Sequence, residues 1–255
     1  MPRPTQVLGD GAPVRHDAGD SRADERNDLL RNLSAAAYDR LRPHLEPIGL
    51  TRGQVLWEPY VAIRSVYFPR DCVLSLLVIL DDESPVEAAT IGREGLLGVP
   101  LALGSETAST RAIAQVPGFA VRLPASTFRQ ALDEDPEVRG ITLRYAQALL
   151  DQTSQSVACN RRHSMEERCA RWLLMTHDRV GSDHFQLTHD FLAFMLGVRR
   201  AGVTVAAGML QQAGLIRYTR GNITILDRVR LEEASCECYR AVRDKAGRLV
   251  QPSSA

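Results

Sequence analysis

The stretch from Leu187 to Leu226, LTHDFLAFMLGVRRAGVTVAAGMLQQAGLIRYTRGNITIL, decides the reading of this chain. Thr188 stands just ahead of an apolar run, where its hydroxyl caps a helix whose Phe191, Leu192 and Met195 share one side. Gly197 ends that helix, because glycine enters the left-handed conformation at no steric cost. A second helix starts at once. From Arg199 to Gln212 the residues Val203, Ala207 and Leu210 recur at i, i+4 and i+7 and turn inward, leaving Arg199, Arg200, Ala201, Thr204, Val205 and Gly208 on the other side. Two short helices joined by a glycine turn have helix-turn-helix geometry. Leu215–Tyr218 and Ile223–Leu226 then flank Arg220-Gly221-Asn222, a hairpin signal, and that hairpin is the expected wing.

Charge separates this region from the rest. Residues 1–158 carry 16 arginines against 21 acids, whereas residues 159–230 carry 11 arginines against 6 acids, although the whole chain is neutral. Such asymmetry points to a polyanion met by the second part alone.

Upstream, the hydrophobic period changes twice. Leu30, Leu33, Ala37, Leu41 and Leu45 step at helical spacing, with Ser34 as an internal cap. Between Gly49 and Leu123 short apolar stretches (Val55–Trp57, Val66–Phe68, Val73–Leu80, Val86–Ile91, Ala112–Val116, Phe119–Leu123) alternate with turn residues, as in a sandwich or barrel. Asp135-Pro136 opens a long helix, with the acid at the cap and proline in the first turn. On it Val138, Ile141, Tyr145, Ala148, Gln152, Gln155 and Cys159 form one seam, suited either to a second copy of the helix or to the chain's own β-domain.

Composition bounds the function. Of 255 residues 44% are hydrophobic and 24% charged, which excludes global disorder, and aromatics at 5% supply few stacking platforms for single strands. The apolar run Cys72–Leu80 has strand length, about half a membrane span, so no membrane association is expected. Residues 1–27 hold no apolar stretch, cannot be a secretory signal and read as a disordered tail. Cys72, Cys159, Cys169, Cys236 and Cys238 are odd in number and contain no C-x2-C pair, so neither a disulfide framework nor a metal site is expected, and a reducing cytoplasm fits. Cys159 and Cys236-Glu237-Cys238 are left as candidates for a redox role.

With these residues in view, the chain resembles the Crp/Fnr (cyclic-AMP receptor and fumarate-nitrate regulator) class of bacterial transcription factors over roughly residues 29–229. Asp135-Pro136 through Leu174 looks like the dimerisation helix and first DNA-domain helix of that class, and Leu196-Gly197-Val198-Arg199-Arg200 looks like its turn into the recognition helix. The resemblance implies an α+β fold: a disordered tail at 1–27, a β-roll sensor of the cyclic-nucleotide-binding kind at 28–134, a dimerisation helix at 135–162, a winged helix-turn-helix at 163–230 and a C-terminal tail at 231–255. It implies a homodimer that reads a pseudo-palindrome in double-stranded DNA, with RNA polymerase as a possible further partner. Arg200 falls where the family's guanine-reading arginine lies. Ala201 and Val205 replace polar readers and suit thymine methyls, and Arg199 and Thr204 suit phosphates. Gly202, Thr188 and Arg220 complete the expected DNA-binding set.

The sensor departs from the family pattern. Cyclic-nucleotide binders carry Gly-Glu-Leu and then Arg-Ser, whereas this chain has Gly92-Arg93-Glu94-Gly95-Leu96 and, before Arg111-Ala112, Glu106-Thr107 where the phosphate arginine belongs. A carboxylate there repels a phosphate. Glu94, Gly95, Glu106, Thr107, Arg111, Thr153 and Ser154 are therefore candidates for an unknown small-molecule effector, with cyclic AMP disfavoured and the cofactor unknown. An N-terminal iron–sulfur cluster lacks ligands, since no cysteine precedes Cys72.

An enzyme is not expected. A cupin-like metal site needs several histidines in the β-domain, where only His44 occurs, and His163, His177, His184 and His189 lack metal-motif spacing and suit solvated or capping roles. No nucleophile elbow or phosphate-binding loop is present, so there are no catalytic candidates. The remaining alternative is a ligand-binding β-roll whose helix-turn-helix docks a protein.

Overall fold

The computed structural model describes residues 25–81 and 85–250. Two short helices, α1 (Asp28–Arg31) and α2 (Ala35–Leu41), lead into an antiparallel β-domain with strands β1 (Glu46–Leu50), β2 (Val55–Trp57), β3 (Ser65–Pro69), β4 (Val73–Ile79), β5 (Pro85–Ile91), β6 (Arg111–Val116) and β7 (Gly118–Pro124), interrupted by helix α3 (Val99–Ala102). The strands form two sheets, ordered β1-β7-β3 and β2-β6-β4-β5. Leu50, Val66, Phe68 and Leu123 from the first sheet meet Trp57, Leu74, Ile91 and Ala114 from the second in one core. This is the β-roll, and together with the helices it gives the α+β fold. Among the described residues no helix is long and apolar enough to cross a membrane.

Several elements were not foreseen, among them α3, β8 (His184–Gln186) and the four that follow. Strand β1 contains Pro47 and lies at a sheet edge, the one place where a missing N–H is tolerated. Helix α4 (Ala125–Glu134) closes the β-domain beneath Phe128 and Leu132. At the chain's end, where a plain tail was expected from 231, α9 (Arg228–Glu233) and α10 (Cys238–Val250) fold back, and α10 packs along the long helix with Tyr239 fully buried. The N-terminal boundary also shifts. Residues 1–24 lie outside the described region, but residues 25–27 are no tail: buried Glu25 pairs with Arg70 at 2.8 Å, and Asn27 caps α1 while its Nδ2 donates to the carbonyls of Pro69 and Gly95, both at 2.9 Å.

Helix α5 (Pro136–Arg162) runs out of the β-domain, capped by Asp135, whose carboxylate accepts from the Glu137 and Val138 amides. Its Val138–Ile141–Tyr145 seam is buried in the β-domain's own core. That excludes the seam as a face for a second copy. The side left exposed carries Leu143, Leu150 and Val157, which are 42%, 59% and 68% accessible and seven residues apart. Both stripes satisfy helical spacing, so periodicity alone did not tell the covered one from the open one.

Beyond α5 come α6 (Met165–Val180), strand β8 (His184–Gln186), α7 (His189–Leu196), α8 (Arg200–Gln212) and strands β9 (Ile216–Thr219) and β10 (Asn222–Ile225), the three strands forming a sheet ordered β8-β10-β9. Their core includes Trp172, Leu173, Leu192, Val203 and Ile223, and also Val73, Leu77, Ile113 and Val116 from the β-domain. Strand alternation on β4 explains the sharing: Leu74 enters the first core while its neighbour Val73 enters the second.

Candidate nucleic-acid interface

Thr188 caps α7 by accepting from the Phe191 amide at 3.2 Å. Gly197 closes the helix in the left-handed conformation (φ 63°), and Arg168 of α6 donates to the Leu196 carbonyl at 2.6 Å, which fixes the turn from outside. Arg199 is extended at the N-cap of α8 (φ −69°, ψ 142°). Val203, Ala206, Ala207 and Leu210 are buried beneath α8, one more than the pattern indicated. Arg199, Arg200, Ala201, Gly202, Thr204 and Val205 all lie on its exposed face. A Cβ added at Gly202 or Gly208 would meet nothing within 4 Å beyond the helix's own adjoining backbone.

The wing turns through Arg220 (φ 48°) and Gly221 (φ 80°), the two left-handed positions of a tight type I′ hairpin. Arg220 is exposed at the tip of the wing, whereas Thr188 is half-buried with its oxygen engaged in the cap. Thr204 is exposed, and its hydroxyl donates back to the Arg200 carbonyl at 3.1 Å. Sequence reasoning missed the part that ties these pieces together. The His189 ring stacks on Tyr218 of the wing with centroids 4.0 Å apart, and the Tyr218 hydroxyl accepts from the His189 amide at 3.2 Å. No sequence spacing announces a contact between a helix start and a strand 29 residues later.

The sensor-turn residues are drawn elsewhere. Glu94 pairs with Arg179 of α6 at 2.7 Å, and the same guanidinium donates to Gln152 at 2.9 Å and to Thr90. Cβ atoms at Gly92 and Gly95 would overlap Arg179 and Tyr145 respectively. Arg111 pairs with Glu58 at 2.7 Å, Glu106 with Arg129, and Thr107 donates its amide to Ser105 at 3.4 Å. Thr153 is half-buried and bonds to the Leu149 carbonyl at 2.9 Å, while Ser154 is exposed. The structure thus spreads these seven residues over separate local contacts. A cleft of about 490 Å³ opens beside Arg31, Arg93, Glu94, Arg179 and Arg243, mixing both charge signs. Behind it Glu87 receives hydrogen bonds from Trp172 at 3.1 Å and Ser75 at 2.8 Å, yet burial dominates and pushes its carboxyl up to about 7.

Residues 167–234, which span α6 to α9, match the Crp-like helix-turn-helix domain family. The fold as a whole is similar to that of solved structures described as Crp/Fnr-family transcriptional regulators. The chain is 24% identical over 213 residues to the global nitrogen regulator of Synechocystis sp., covering 78% of this chain and 94% of the relative. Among solved structures, FixK2 from Bradyrhizobium japonicum superposes with a TM-score of 0.64 at 16% identity, over 75% of this chain and 98% of that one. A Crp/Fnr-family transcriptional regulator from Thermus thermophilus gives 0.59 at 21% identity, over 74% and 98%.

Proposed function

We propose that the chain works in the cytoplasm as a homodimeric regulator that reads a pseudo-palindromic site in duplex DNA through α8 and is not gated by cyclic AMP. The observation that carries this reading is the exposed face of α8, where Arg199, Arg200, Thr204 and two glycines with open space in place of a side chain sit above a fully packed underside. A bare glycine on a helix costs roughly 1 kcal/mol relative to alanine, and close approach of an outside partner offsets that cost. In this reading Arg200 contacts guanine, Ala201 and Val205 contact thymine methyls, and Arg199 and Arg220 hold phosphates. The open Leu143–Leu150–Val157 stripe supports pairing of two α5 helices, since a seven-residue apolar repeat is the seam of a coiled coil. The packing of Arg179 and Tyr145 against the sensor turn supports a signal other than a cyclic nucleotide.

Selection of bound duplexes by the wild type and by Arg200→Ala tests the reading. The wild type should enrich a two-fold related site, and the variant should lose about 1–3 kcal/mol of discrimination at one guanine per half-site. Binding should also weaken steeply with salt, by about 0.9 log units per released counterion for each log unit. Affinity that ignores salt, together with an unchanged base preference, would instead favour the protein-docking alternative.

A further inference from the structure

Cys159 and His163 lie one helical turn apart at the end of α5, and Cys236 and Cys238 flank Glu237 where the link from α9 enters α10. Folding brings these distant segments together. The Cys159 and Cys236 sulfurs are 3.5 Å apart, the Cys238 sulfur is 3.6 Å from His163 Nδ1, and all four donor atoms lie within 4.8 Å of one another. The three cysteines are 0%, 3% and 1% exposed. A tetrahedral ion with metal–sulfur bonds of about 2.3 Å and a metal–nitrogen bond of about 2.0–2.1 Å has edges of about 3.4–3.8 Å, the spacing of the closest pairs here. Nothing in the helix-turn-helix uses these side chains.

The surroundings fit the same chemistry. His163 Nε2 is 3.1 Å from a Glu237 carboxylate oxygen, which sets the tautomer that aims the Nδ1 lone pair at the sulfurs. Gln155 Nε2 donates to the Cys238 sulfur at 3.1 Å, as it would to a thiolate. Arg171 comes from α6 with its Nε and Nη1 buried and unpartnered by any hydrogen bond, only 9% exposed, so a positive charge stands next to the cluster. A disulfide fits less well. It would join Cys159 to Cys236 and leave the convergence of Cys238 and His163 without a purpose, and the sulfurs stand well beyond a bond of about 2.05 Å. A multi-iron cluster needs its ligands spread around a core larger than one ion, and these donors are too close together.

We propose that Cys159, His163, Cys236 and Cys238 form a closed four-ligand site for one zinc ion, which ties the C-terminal segment to the hinge between the long helix and the DNA-binding domain. Binding Zn²⁺ displaces three thiol protons to solvent, and the resulting charge of −1 faces Arg171. His163 is the C-cap of α5 and precedes the Ser164 cap of α6 directly, so the ion fixes the angle at which one helix hands over to the next. The proposal is independent of whether α8 binds DNA.

The full chain, purified without added metal, should contain one zinc per chain by mass spectrometric metal analysis. Apoprotein titrated with Co²⁺ should saturate at one equivalent, with thiolate charge-transfer bands and the visible spectrum of a tetrahedral ion. Cys236→Ser should lose the charge-transfer intensity and most of the zinc, Cys72→Ser in the β-domain should keep both, and Glu237→Gln should weaken Co²⁺ binding by about 10-fold or more. Zinc-free wild type whose Co²⁺ remains octahedral overturns the proposal. So does iron with sulfide at several atoms per chain, or a Cys159–Cys236 disulfide mapped in freshly prepared protein. If Cys236→Ser does not fold, the wild-type stoichiometry and cobalt spectrum decide without it.

Discussion

The glycines of the sensor turn and those of α8 differ in what surrounds them. At Gly92 and Gly95 the space a side chain would need is filled by Arg179 and Tyr145, whereas at Gly202 and Gly208 that space is open. The same residue type thus marks two opposite designs. One surface has been taken over by the chain's own interior, and the other is left bare.

The contrast can be broken from either side. The largest effect is expected from Arg179→Ala, which removes the cation from a buried pair and strands Glu94, Gln152 and Thr90 together; urea unfolding should show a loss of about 3–5 kcal/mol. Glu87, bonded to Ser75 and Trp172, lies within electrostatic reach of Arg179. Its carboxyl titrates near 7 in the folded chain against an ordinary value of 4.5, so the folded state holds a proton that the unfolded state has released. Stability should therefore fall as pH rises from about 4.5 to about 7 and level off above that, and Glu87→Gln should flatten this part of the profile. Gly95→Ala, which drives a methyl into the Tyr145 ring, should lower the thermal midpoint by the equivalent of about 1–3 kcal/mol. The smallest change, Gly208→Ala, should sharpen the comparison by moving two readouts apart: the helix gains up to about 1 kcal/mol, while DNA affinity in a shift assay falls.

Legibility in the sequence followed the range of the interaction that built each part. Gly197 and Gly221 were readable because left-handed backbone favours glycine at particular positions. The underside of α8 was readable because Val203, Ala207 and Leu210 are neighbours on one helix. The covering of α5 was not, since Tyr145 and Leu150 obey the same spacing and only the tertiary fold decides which is buried. The cysteine cluster was invisible to motif spacing because its two halves are separated by 77 positions from Cys159 to Cys236. The His189–Tyr218 stack was hidden for the same reason.

The β-domain supplies Val73, Leu77, Ile113 and Val116 as one wall of the core that α6, α7 and α8 complete. Separating the chain between residues 134 and 164 would therefore expose an apolar flank on each part. Any motion between the two parts that keeps that flank covered has to slide them against each other rather than part them.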